Sequence, residues 1–218
     1  MAGRTARADQ AGATREAILD AAERLFAEQG VYAVSNRQVS EAAGQGNNAA
    51  VGYHFGTKAD LVRAVAARHF GRIEEIRVRL LTETGDSDDI RDRVDCLVRP
   101  ITEHLASLGS PTWYARFCAQ VMTDPALYDI MVEESLTSPS LRQAVEALNR
   151  RLPELPAEVR AERGLMARTL ILHTCAERER ALAEGTPTPR ATWSDAATGL
   201  TDALLGLWLA PVSAVRRR

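Results

Sequence analysis

Apolar residues recur along this chain at the spacing of one face of an α-helix, segment after segment. No stretch alternates apolar and polar positions as a strand would. Ile18, Leu19, Ala22, Leu25 and Phe26 make the first such face, from about Thr14 to a stop at Gly30. Residues 1–13 before it are small and polar and carry no apolar period, so they are expected to form a mobile arm. A longer face of Leu61, Val62, Val65, Ala66, Phe70, Ile73, Ile76 and Leu80 runs from a cap at Thr57 to about Glu83. Gly85 and the acidic run Asp86–Asp89 then break the chain and favour a new helix start. Ser110-Pro111, Asp124-Pro125 and Ser138-Pro139 are three further start signals, each a capping residue followed by the one residue that loses nothing by lacking an N–H. Two long helical patterns close the chain, roughly Pro156–Glu184 and Ala191–Leu209, parted by the breaker stretch Gly185–Pro189. The expectation is an all-α chain.

Between the first helix and the one starting at Thr57 lies a shorter pattern. Ser35-Asn36-Arg37-Gln38 has the spacing of a capping box, in which hydroxyl and amide each satisfy an orphan backbone donor. That predicts a short helix to about Ala43, ended by Gly44. After Gln45-Gly46 a second short helix is expected over Asn47–Phe55. Two short helices joined by a glycine turn make a candidate helix-turn-helix. A recognition helix presents short polar or small side chains to base edges near its N-terminus, and Asn47-Asn48-Ala49-Ala50 does so: asparagine can pair with adenine, and alanine can meet a thymine methyl. Asn47 can equally cap its own helix. Helix starts also favour anions, even without side chains.

The segment Ser35–Lys58, SNRQVSEAAGQGNNAAVGYHFGTK, resembles the helix-turn-helix of the TetR family of bacterial transcriptional regulators. The likeness lies in its ending, Tyr53-His54-Phe55-Gly56-Thr57-Lys58, and in the apolar helix and glycine before it; it covers about the first 60 residues. From Gly44 to Phe55 the chain is one residue longer than the common family form, and Gly52 stands where the family usually has tyrosine. The resemblance implies a DNA-binding head over 14–57 and a helical ligand-binding and dimerisation body over 58–210, followed by a tail at 211–218. It also implies a homodimer that binds a double-stranded, palindromic operator as a repressor and releases it when a small, largely apolar ligand binds. The residues it places at DNA are Asn36, Arg37, Asn47, Asn48, Ala49, Ala50, Tyr53, His54, Thr57 and Lys58.

Composition narrows the alternatives. A chain of 218 residues with 45% apolar content can bury a full core. Its net charge of −2, and the balance of six basic against six acidic residues over 1–58, argue against coating nucleic acid by charge alone. Any DNA face must come from placement. The cysteines, Cys96, Cys118 and Cys175, lie far apart without CxxC or zinc spacing, and read as reduced cytosolic thiols. No apolar run approaches the roughly 20 residues of a membrane span, so a cytoplasmic protein with no membrane partner is expected. His54, His69, His104 and His173 are scattered singly, and no acid or nucleophile is spaced to join them. Neither a metal site, a cofactor nor a catalytic residue is expected.

Two apolar faces of the body carry candidate roles. Trp113, Tyr114, Phe117, Cys118, Val121 and Met122 form the most aromatic face in the chain, which serves either as ordinary core or as the wall of a ligand pocket. Leu165, Thr169, Leu172 and Ala176 on one long closing helix, with Trp193, Ala197, Leu200, Leu204, Leu207 and Trp208 on the other, make the stripes that the resemblance assigns to a four-helix dimer interface. The rival readings are an all-helical enzyme and a DNA-binding protein without a ligand switch.

Overall fold

In the computed structural model, the structure describes residues 2–47 and 49–212, with side chains at 10–47, 49–133 and 137–212. Among these residues there is no strand, and the helices are α1 (Ala2–Gln29), α2 (Asn36–Ala42), α3 (Ala50–Phe55), α4 (Lys58–Thr84), α5 (Ile90–Leu108), α6 (Tyr114–Met122), α7 (Tyr128–Thr137), α8 (Pro139–Asn149), α9 (Ala157–Ala183) and α10 (Trp193–Leu209). No described helix is long and apolar enough to cross a membrane. The chain divides into two compact units: residues through Gly71 with Pro111–Ser135, and Arg72–Ser110 with residues from Leu136 onward.

The first unit holds α1, α2, α3, the first half of α4, and α6. Where an arm was expected, α1 extends back to Ala2. Residues 2–13 lack an apolar period but hold five alanines and no proline, so helix propensity carries the helix through them. Gly30, at φ 84°, ends α1 in the left-handed region that a side chain would strain. Ile18, Leu19, Ala22 and Phe26 are fully or almost fully buried, as the sequence pattern requires. Helix α6 packs on α1, with the Phe117 ring stacked on Phe26 at 6.4 Å between centroids. Tyr114 stacks in turn on His69 of α4 at 3.9 Å, and His69 Nε2 lies 2.9 Å from Glu23 Oε2 of α1 in a buried hydrogen bond. The aromatic face of α6 therefore completes the core of the unit that carries the helix-turn-helix. That explains why the unit is not bounded at residue 57: α1 to α4 alone would leave Phe26 and His69 without these rings.

The second unit is built around α5, with α8 and α10 packed on it. Asp89 caps α5 by accepting from Arg91 N–H at 2.8 Å. Ser138 caps α8, and the Glu74 carboxylate accepts from the Ser140 N–H at 3.0 Å, placing negative charge at the positive end of the helix. Ala197, Leu200, Thr201, Leu204 and Trp208 of α10 turn inward, and the Thr201 hydroxyl donates to Asp95 of α5 at 2.6 Å. Arg163 closes the C-terminal end of α10 by donating to the carbonyls of Trp208 (2.7 Å) and Ala210 (2.6 Å). Arg178 donates in the same manner to the carbonyls of Arg190 and Ala191 and lies over the Trp193 ring at 5.1 Å.

This packing corrects part of the expected dimer stripe. Ala176, Ala197, Leu200, Leu204 and Trp208 are buried within the protomer, because the apolar face of α10 is spent on α5. Leu172, Trp193 and Leu207 are partly covered or open at the edge of that packing, and Leu165 and Thr169 stay exposed. The apolar surface left open on α9 is Leu165, Met166 and Leu170, at 52%, 46% and 37% exposure.

Candidate nucleic-acid interface

The local sequence builds the helix-turn-helix from the inside out. Ser35 caps α2 as its spacing predicts: its Oγ accepts from Gln38 N–H at 3.2 Å, and Gln38 Oε1 accepts from Ser35 N–H at 2.8 Å. Val39 and Ser40 of α2 and Val51 of α3 are buried, which fixes the two short helices against the unit's core. Gly44, at φ 68°, allows the chain to leave α2, and Gln45 N–H donates to the Ser40 carbonyl at 2.9 Å. Helix α3 then starts later than expected, at Ala50. The reason is visible at Asn47, whose Oδ1 accepts from Ala49 N–H at 2.9 Å and whose carbonyl accepts from Ala50 N–H at 3.0 Å. Asn47 bonds ahead of the helix and does not cap it: the N-cap position of α3 is Ala49, which has no side-chain cap, and both residues stay exposed. Asn48 lies outside the described residues.

Asn47 and Ala49 are exposed in this turn, and Arg37 of α2 and Tyr53 of α3 are exposed too, Tyr53 at 85% exposure. The Arg37 guanidinium is held by Glu41 at 2.7 Å one turn along α2, and this bond raises its pKa above the ordinary value. The Tyr53 ring meets His54 edge-on at 5.0 Å, and Phe55 is half-buried beneath the Arg15 guanidinium, 4.9 Å from its centroid. Ala50 is half-buried. Asn36 is half-buried too, with its Oδ1 enclosed and lacking a hydrogen-bond donor, an arrangement suited to packing more than to contact with a phosphate.

Thr57 and Lys58 open α4 in different ways. Thr57 forms a second capping box with Asp60: its backbone and hydroxyl donate to Asp60 Oδ2 at 3.1 and 2.6 Å, and its Oγ1 accepts from Asp60 N–H at 3.1 Å. The Thr57 side-chain and backbone bonds, helped by nearby Arg63, hold the Asp60 pKa below the usual carboxylate range. Lys58 folds back. Its Nζ donates to the carbonyls of Val31 (3.1 Å) and Val34 (2.5 Å), tying the start of α4 to the α1–α2 connection, and burial lowers its pKa. The ammonium expected at a DNA phosphate is engaged by the protein's own backbone. Sequence spacing could not reveal this, because the partner carbonyls lie 24 and 27 residues away.

The aromatic face of α6 is mostly core. Tyr114, Phe117, Cys118 and Val121 are buried in the first unit, and Trp113 and Met122 are half-buried. None of the six lines the cavity of about 160 Å³ in the second unit or the open groove of about 430 Å³ in the first. That groove runs between residues 29–33 and the end of α6, lined by Tyr32, Gln120 and Pro125 among others. Among the described residues no group of histidine, cysteine or acidic side chains is placed to hold a metal ion.

Comparison with known proteins agrees with this geometry. Residues 18–65 match the family described as bacterial regulatory proteins, tetR family, and residues 95–206 match the tetracyclin repressor-like C-terminal domain. A comparison with curated proteins returns no match. Among solved structures, a tetR family transcription regulator from Shewanella sp. PV-4 superposes with a TM-score of 0.57 at 17% identity, covering 90% of this chain and 96% of that one. The TetR family regulator PfmR from Thermus thermophilus gives 0.52 at 16% identity, covering 90% and 99%. At these identities the structures establish the shared fold, while the two family matches establish descent across both the head and the body. The chain belongs to the TetR family of bacterial transcriptional regulators.

Proposed function

We propose that the protein is a homodimeric repressor that reads a palindromic operator through α2 and α3 and leaves it when a small molecule binds. The observation that carries the DNA reading is the short turn between α2 and α3, shaped by Gly44 and Asn47, with Asn47 and Ala49 exposed in it and Arg37 and Tyr53 exposed on the helices it joins. These are the residue types that contact phosphates and base edges from a recognition helix. Asn48 and Ala50 join them in the proposed reading surface, with Thr57 and His54 at its margin. The reading assigns no catalytic step or cofactor to the chain, and it places the protein in the cytoplasm with its DNA.

Dimerisation is supported by the open apolar surface of α9, where Leu165, Met166 and Leu170 lie within two helical turns. Ligand release is supported by the stacking of Phe117 on Phe26. A compound that displaces α6 acts directly on α1 and so on the head, and it shifts the protein off DNA only by as much as it prefers the displaced state.

Selection of duplexes from a random pool by the full-length protein, followed by footprinting, tests the proposal. The expected result is a two-fold symmetric site with half-site centres about one helical turn, roughly 34–36 Å, or a multiple of it apart. Recovery of only asymmetric or single-stranded sequences overturns it.

A further inference from the structure

The second unit contains a cavity of about 160 Å³ where the end of α4, the start of α5 and the end of α8 meet. Leu81 and Ala147 border it, but its surface is mostly polar, with Arg93, Arg150, Arg151 and Gln143 in the lining and Asp86 and Gly85 at the α4–α5 connection. Three arginines and a single carboxylate, Asp86, line this space.

Arg93 makes the case specific. It is only 6% exposed, so its charge has been taken out of water. Its Nη2 donates to the Ser87 carbonyl at 2.5 Å, and its Nε is buried without a hydrogen-bond partner. Among the described residues no carboxylate lies within ion-pairing distance of it. Buried charges are otherwise paired or bound to an ion. Arg151 is paired, with Asp88 at 2.6 Å, whereas the Arg150 side chain has no carboxylate partner among the described residues. Asp88 is thus engaged, Asp92 accepts from the Ser87 hydroxyl, and Asp86, the one acid in the lining, is exposed at the rim, so arginines outnumber acids in the lining. Planar guanidinium forks match the oxygens of carboxylate and phosphate groups.

We propose that this cavity binds a small oxyanion, held by Arg93 and Arg150 and closed by Arg151 and Gln143. The volume admits several water molecules and hence a compact anion such as inorganic phosphate or a small polycarboxylate. The site is separate from the six residues of the aromatic face and stands whether or not the head recognises an operator.

Calorimetric titration of the full-length protein without DNA, at ionic strength held constant with chloride, tests the proposal using phosphate and citrate as probes. Saturable binding of either is expected, and their relative affinity separates a phosphate from a carboxylate ligand. Arg93→Gln and Arg150→Gln should each weaken binding about tenfold or more, the equivalent of one charge-assisted hydrogen bond. Arg150 is exposed, so its variant keeps the test decisive if Arg93→Gln fails to fold; Arg72→Gln, at an exposed position on α4 away from the cavity, should bind as the unaltered protein does. Absence of saturable binding by both anions, or unchanged affinity in Arg150→Gln, overturns the proposal.

Discussion

Phe117 lies over Phe26 with 24° between the ring planes and 6.4 Å between their centroids, both rings fully buried. The pair joins a helix far along the chain to the first helix of the head. The head is thus stabilised from outside its own stretch of sequence, and α6 cannot change position without altering the support of α1.

Truncating Phe117 should therefore damage DNA binding as well as stability. Phe117→Ala is expected to cost about 3–5 kcal/mol, as large-to-small substitutions of buried aromatics do, and to lower operator affinity by loosening α1. Phe117→Leu, which refills most of the space, should lose much less. Thermal melts and operator titrations on both variants provide the check. Full operator affinity in a folded Phe117→Ala protein would mean that the head is independent of α6.

In the proposed reading of DNA, the Arg37 guanidinium exchanges Glu41 for a phosphate. The pair is exposed on both sides and of the kind that contributes little to stability. Glu41→Gln should therefore leave the melting temperature nearly unchanged and raise operator affinity roughly two- to fivefold by freeing the cation. Arg37→Ala should weaken binding to all sequences and reduce the salt slope by about one per site. Binding of operator and scrambled duplexes across a salt series distinguishes these outcomes from a change in base preference.

Met166 and Leu170, one turn apart and outward on α9, give the most direct test of assembly. Met166→Glu with Leu170→Glu should convert a dimer of 23.8 kDa chains to monomers, measured by light scattering, without lowering helicity. Charges placed in a closed apolar interface are costly, whereas on an open surface they are well tolerated. A dimer that survives both changes would move the interface elsewhere.

Asp60 supplies a pH signature for the start of α4. Its folded-state pKa is depressed, so the folded protein releases this proton more readily than the unfolded chain does. The resulting stabilisation is present above the ordinary Asp value of 3.8 and is lost as pH falls through the depressed value. Asp195, which accepts from Thr192 in the capping box of α10, behaves alike. Asp60→Asn and Asp195→Asn should each flatten the fall in melting temperature over that acidic window. An unaltered profile in both variants would show that the boxes do not persist in solution.

What was legible in the sequence was what local spacing decides. Ser35 and Gln38, Thr57 at its helix, and Ser138 before Pro139 announce their helix starts because each partner lies within one turn. The bounds of α9 and the start of α10 follow in the same way from Pro156 and the Gly185–Pro189 break. The direction in which a face points depends on distant partners, and there the pattern was ambiguous. The stripe of Leu200, Leu204 and Trp208 reads equally well as an interface or as a core, and only the presence of α5 beside it decides for core. The helix over residues 2–13 was hidden for another reason: a helix made by propensity alone has no periodic signal.

Lys58 offers the sharpest separation of folding from recognition. Its ammonium bridges the carbonyls of Val31 and Val34, which lie between α1 and α2 and so outside the helical register that would satisfy them from within either helix. Removing the charge leaves two partly buried acceptors to find water. Lys58→Met keeps the aliphatic stem and loses only the donors, so it should cost about 1.5–3 kcal/mol, the range for hydrogen bonds to charged groups. Operator affinity should fall in step with this loosening, for specific and scrambled duplexes alike. The slope of affinity against salt should nonetheless stay that of the unaltered protein, because no counterion is released from a phosphate that the ammonium never reached. Arg37→Ala, measured beside it, should show the opposite combination: an unchanged melting temperature and a shallower slope. If Lys58→Met instead lowers the slope by about one and leaves the melting temperature untouched, the ammonium leaves its carbonyls on DNA and the phosphate contact implied by the family resemblance holds.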